Sequence, residues 1–161
     1  MANSPPSHYL DIGQLGEDLV SQWLQSTGWV ILHRRFACRW GEIDIIAEYA
    51  GDSQTKNHST LIFVEVKTRS PGSWDGGGRN AITPKKQTKL WRTAEIFLAE
   101  YPQKADYPCR FDVAIVCCRQ ITDNSTVMVP EKVLASSLVA TYQLELREYI
   151  ADAFDSVTYN A

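Results

Sequence analysis

Long hydrophobic runs are missing from this sequence. No apolar stretch approaches the ~20 residues that a membrane-spanning helix needs, so no membrane partner is expected. Met1 to Tyr9 shows no basic segment followed by an apolar one, which argues against a secretory leader. Histidine occurs only as His8, His33 and His58, at spacings that match no metal-ligand motif. The cysteines, Cys38, Cys109, Cys117 and Cys118, include no C-x-x-C pair, and adjacent Cys117 and Cys118 suit a buried strand better than a disulfide framework. They read as reduced thiols of a cytoplasmic protein. The G-G-G at 76–78 lacks a downstream G-K-[ST], which excludes nucleotide hydrolysis by a phosphate-binding loop of that kind. Internal repeats, linkers and a second domain are also absent. At 161 residues the whole chain, 1–161, is about one domain, large enough to bury a core.

An apolar share of 44% and a charged share of 22% fit an ordinary globular protein and exclude disordered or collagen-like classes. The formal net charge of −3 rules out a uniformly basic coat, but the charges are not evenly spread. Between Lys67 and Arg92 stand Lys67, Arg69, Arg79, Lys85, Lys86, Lys89 and Arg92, with Asp75 the one acid among them. Arg34, Arg35 and Arg39 precede an acidic G-E-I-D stretch. A local basic face of this sort can grip a phosphate backbone even on an acidic protein.

Residues 1–9 are polar and expected to be disordered. Ile12, Leu15, Leu19, Val20, Trp23 and Leu24 recur at helical spacing, predicting a helix over Asp11 to Thr27 with Gly28 as its stop. Trp29 to Phe36, Gly41 to Tyr49 and Thr60 to Thr68 read as strands. A glycine-rich loop follows at 70–80. Thr83 and Pro84 then mark the start of a helix running to about Tyr101. Arg110 to Cys118, apolar on both faces, reads as a central strand. A short strand at Thr126 to Val129 and a helix opened by Pro130 are expected next, and 141–161 stays unassigned. The order α-β-β-β-α-β predicts an α/β fold, a mixed sheet flanked by helices.

Chemistry concentrates on two strands. Side chains alternate across a strand, so Glu65 and Lys67 share a face, roughly 6–7 Å apart. The same parity puts Glu42, Asp44 and Ile46 on one face of the preceding strand. If the two strands pair, Asp44 and Glu65 converge, and two carboxylates with room for water suit Mg²⁺ or Mn²⁺. A lysine beside them can stabilise charge on a phosphate or help to orient and deprotonate a water. Asp112 reads instead as a structural carboxylate paired with Arg110. Trp40 and Trp74, in basic loops, are either core residues or stacking platforms for bases.

The run G-E-I-D-I-I at 41–46, F-V-E-V-K-T-R-S at 63–70, K-K-Q at 85–87 and R-F-D-V at 110–113 resembles the YraN-like family of small bacterial proteins. That family is similar to Holliday-junction resolvases within the PD-(D/E)xK nuclease superfamily, and the match covers about Asp11 to Val116. The proline of the superfamily name is absent before Asp44. The resemblance implies a restriction-endonuclease-like fold and metal-dependent hydrolysis of DNA, with branched DNA and a homodimer following from the likeness to resolvases. It implies Asp44, Glu65 and Lys67 as the catalytic centre, with Glu17 as the first-helix acid and Gln87 as a helix residue facing the site. Asp44 and Glu65 would be the metal ligands. Arg39, Arg69, Arg79, Lys85, Lys86 and Lys89 would hold the nucleic acid backbone. The alternative is a nucleic-acid- or partner-binding module whose nuclease site is inactive or little used.

Overall fold

The computed structural model describes residues 11–49, 59–71, 82–122 and 132–155. Asp11 caps the first helix, α1 (Ile12–Ser26), by accepting from the Gln14 amide at 3.2 Å. The chain leaves α1 through Gly28 at φ 99°, a left-handed conformation open to glycine at little cost. Three strands follow: β1 (Val30–Cys38), β2 (Gly41–Tyr49) and β3 (Thr60–Arg69). The second helix, α2 (Pro84–Glu100), starts as expected, with Thr83 accepting from Lys86 N at 3.2 Å and proline in its first turn. A 3-10 turn at Pro102–Lys104 leads to β4 (Cys109–Gln120), then β5 (Ala135–Val139) and β6 (Tyr142–Phe154).

The six strands form one mixed sheet in the order β1-β2-β3-β4-β6-β5. Only β3 and β4 run parallel, because α2 lies between them in the chain and carries it back across the sheet. The predicted mixed sheet flanked by helices is therefore what the chain forms, with β4 inside it. Leu19, Val20 and Leu24 of α1 pack on one face against Ile45, Ile62, Val64 and Ala114. On the other face Leu90, Ala94 and Phe97 of α2 meet Ile46, Phe63 and Phe111. Phe97 lies edge-on to Phe36 and Phe63, with centroids 5.4 and 6.1 Å away, and truncating so enclosed a ring costs ~3–5 kcal/mol.

The C-terminal part differs from expectation. Among the described residues after Pro130 there is no helix: 135–139 and 142–154 form a β-hairpin on the far edge of the sheet. Its two-residue turn has Ala140 at φ 50°, without the Asn or Gly that usually signals such a turn, so the sequence pattern is silent there. The expected strand 126–129, residues 1–9 and most of the glycine-rich loop, with Trp74 and Arg79, lie outside the described residues. All four cysteines are free, as expected, and Cys117 and Cys118 are buried in β4. Among the described residues no helix is long and apolar enough to cross a membrane.

Candidate active site

The β2–β3 ladder pairs Tyr49 with Thr60 and runs to Ile45 opposite Val64, where it stops. Asp44, next along β2, accepts a hydrogen bond from the backbone N–H of Val66 at 2.8 Å through Oδ2. The carboxylate thus takes a donor that a continuing ladder would have paired with backbone. Asp44 does not reach this position by simple alternation. Ile43 and Ile46 pack on the α2 side while Ile45 and Ala47 pack on the α1 side, so the period-2 pattern breaks at Asp44. The neighbouring strand breaks at the same level: Arg35, at φ 53°, lets consecutive Arg34 and Arg35 both reach acids of α1. The assumption that Glu42, Asp44 and Ile46 share one face is corrected by this kink.

Glu65 keeps the parity expected of it and stands on the α2 face with Phe63. It is 6% exposed, and its Oε1 receives Lys86 Nζ at 2.7 Å and Lys67 Nζ at 3.2 Å. Lys86 was expected to hold the nucleic acid backbone; here its ammonium sits on Glu65. Glu17 is 7% exposed and accepts from Arg35 Nε at 3.0 Å and Arg34 at 3.4 Å. Those two arginines are the site residues that sequence reasoning left among the general basic charge. The signal was an Arg-Arg pair inside a strand.

The electrostatics follow from this crowding. Burial, then the charges of Glu65, Glu17 and Glu42, push the Asp44 carboxyl up to about 7, against the downward pull of the Val66 N–H. Burial and then the adjacent Lys86 lower the Lys67 ammonium. For Lys86 burial acts downward, but its hydrogen bond to Glu65 and the negative charge around it leave the group raised. The cluster therefore sets a carboxyl raised above its ordinary range beside an ammonium lowered from its own.

Among the described residues no three His, Cys, Asp or Glu side chains gather into a ready ligand set. Two oxygen donors do fit a hard cation. Asp44 is raised to about 7 first by its burial and then by the carboxylate of Glu65, and a bound cation would offset both. Asp44 and Glu65 would hold such an ion with water completing its shell.

The remaining candidates have other surroundings. Gln87 donates from Nε2 to Ile82 O at 3.1 Å and lines a cavity instead of touching Glu65. Arg69 ends β3 and donates to Thr68 O at 3.2 Å. Lys85 and Lys89 are exposed on α2. Arg39 stacks on Trp40 at 4.9 Å, and Arg92 lies over the same indole at 4.4 Å. Asp112 is structural, as expected: fully buried, it accepts from Arg110 Nε at 3.0 Å, from Tyr149 and from Asp152 N.

Fold and site together define a mixed α/β domain with a carboxylate–lysine cluster where two antiparallel strands part. The sequence profile of the uncharacterised protein family UPF0102 matches residues 16–116, a span that holds every residue of this cluster. The chain belongs to that family, which is the YraN-like group. A UPF0102 protein of Nostoc sp. is 57% identical over 151 residues, covering 94% of this chain and 99% of the relative. One from Trichormus variabilis is 57% identical over 91% of this chain and 96% of its own. One from Synechocystis sp. is 41% identical over 89% of this chain and 97% of its own.

Proposed function

We propose that the protein is a divalent-metal-dependent nuclease that hydrolyses phosphodiester bonds of DNA. The observation that carries the reading is the meeting of Asp44, held by the Val66 N–H with its carboxyl pushed up to about 7, with buried Glu65 and its two lysines. Such pairs of groups with opposed shifts are typical of catalytic clusters. Asp44 and Glu65 would hold Mg²⁺ or Mn²⁺, which when bound polarises a phosphoryl oxygen and acidifies a water. Lys67, its ammonium lowered by burial, is suited to take a proton from the attacking water or to face developing phosphate charge. Glu17, fixed by Arg34 and Arg35, keeps the field around Asp44 negative. Arg69, Lys85 and Lys89 would grip the backbone without reading sequence.

The test is single-turnover cleavage of branched and linear DNA with Mn²⁺, beside a thermal-shift titration with the same ion. Wild type should cleave and gain stability with metal, whereas Asp44→Ala combined with Glu65→Ala should do neither. A binding module without chemistry is favoured by one observation: two ammonium groups already neutralise Glu65. Intact DNA after incubation with wild type and metal, with binding retained, would establish that second reading.

A further inference from the structure

Glu65 belongs to a row of side chains that crosses three strands. Its register partner on β4 is Val113, and the partner of Val113 on β6 is Ile150. Neighbouring strands are ~4.8 Å apart, so the row leads from the carboxylate cluster straight into whatever lies above Val113 and Ile150. What lies there is a cavity of about 300 Å³, lined by Val113, Ile150, Ala153 and Phe154 below and by Ile82 and Gln87 at the start of α2. Asp152 supplies its polar rim. The rim is built: Asp152 is held at φ 52° while its N–H donates to fully buried Asp112 at 2.9 Å.

The lining restricts what can enter. An apolar floor ends in one amide and one carboxylate, and among the described residues no cation lines the cavity, so the described lining does not favour a phosphate. It suits a small, mostly apolar group with hydrogen-bonding edges, and its volume lies at the small end of ligand sites. We propose that this cavity receives one unstacked nucleobase of the DNA strand whose phosphate lies against Glu65 and Lys67. The inference rests on the nuclease reading for the phosphate's place, and adds the substrate class. Lys86 and Gln87 are consecutive on α2, the first on Glu65 and the second on the cavity, so one helical turn serves phosphate and base together. A base within a stacked duplex faces the helix axis and cannot turn into a pocket beside its own phosphate without being extruded, at the cost of its stacking and pairing. The preferred substrate is then DNA with an unpaired nucleotide at the cut: a single strand, a flap or a junction.

The experiment uses the full chain, Ca²⁺ in place of Mn²⁺ to hold the complex, and oligonucleotides carrying one 2-aminopurine, whose emission rises on unstacking. Wild type should bind the single strand at least 10-fold more tightly than the matching duplex, with a rise in emission at one position. Ala153→Met, which fills the cavity and leaves Asp44, Glu65 and Lys67 untouched, should remove that preference and the rise while duplex affinity holds. Asp152→Asn, a residue type that tolerates positive φ, should alter the ranking of the four bases at that position. An unchanged preference and emission in folded Ala153→Met overturns the inference even where cleavage by wild type upholds the nuclease. An emission rise that Ala153→Met abolishes, in a protein that cleaves nothing, upholds the cavity while the nuclease reading falls. Should Ala153→Met fail to fold, an unchanged base ranking in Asp152→Asn overturns it.

Discussion

Val66 N donates to Asp44 Oδ2 at 2.8 Å, so a single carboxylate both ends the ladder between β2 and β3 and faces Glu65 across the gap it creates. Fold and chemistry meet in that one hydrogen bond, and each can be probed by changing the charge without changing the shape.

Asp44→Asn retains an oxygen to accept from Val66 and removes the titration. The Asp44 carboxyl is raised from 3.8 to about 7 in the folded chain. A raised acid favours the folded state while protonated, and that contribution is lost as pH climbs from about 4 through 7. Wild type should therefore lose stability relative to Asp44→Asn over this window, by up to about 4 kcal/mol at 1.36 kcal/mol per unit. Urea denaturation at pH 4, 6 and 8 reads the difference; parallel profiles for the two proteins would refute the shift.

Lys67→Ala should lower single-turnover cleavage by about 10²–10³, the usual loss when one donor to transition-state charge is removed. DNA affinity should change little, because other basic residues share the backbone contacts. Lys67→Ala that still cleaves at the wild-type rate would place the chemistry elsewhere.

Replacing Lys85 and Lys89 with alanine should flatten the dependence of DNA affinity on salt by about one unit of log–log slope per lost phosphate contact. Lys86 is left out of this test because its ammonium sits on Glu65. Titrations at three salt concentrations measure the slope, and an unaltered value would clear this helix of a role in binding.

Gly16→Ala tests how α1 is seated. A Cβ at Gly16 would overlap Oγ1 of Thr68, whose β-branched side chain has little room to yield, so α1 must lift from β3. Overpacking of this kind costs ~1–3 kcal/mol, against a helix-propensity gain near 1 kcal/mol. A melting temperature below wild type is the expected result, with weaker metal stabilisation because Glu17 moves with the helix. A higher one would show that the helix adjusts freely.

Much of this was legible in the sequence because the elements carrying it are regular. Thr83-Pro84 announces α2, and the alternation Leu61, Phe63, Glu65, Lys67 places the E-x-K pair on the α2 face. Asp44 does meet Glu65, but not by the shared face read for it: β2 breaks parity between Ile43 and Ile45, level with Arg35, and positive φ at an arginine leaves no mark in sequence. The β5–β6 hairpin was illegible for a related reason, since Ala140 turns without a turn residue. Within β6, Gln143 and Glu145 are buried beside Leu144 and Leu146, paired with Arg119 and Arg147, which hides the alternation. Gln87 carried no sign that it would line a cavity, because that depends on β6 crossing beneath it.

The shortness of the β2–β3 ladder has a consequence for motion. Five residue pairs join the β1–β2 hairpin to the rest of the sheet, and the last lies just before Asp44. The hairpin is thus a natural unit for partial opening, and its amides should exchange with deuterium sooner than those of β3 and β4. Asp44 and Glu65 lie on opposite sides of that seam. Any ion shared between them would act as a clasp, slowing exchange at Val66 and throughout β2 far more than in β4, which pairs with β3 and β6 without crossing the seam.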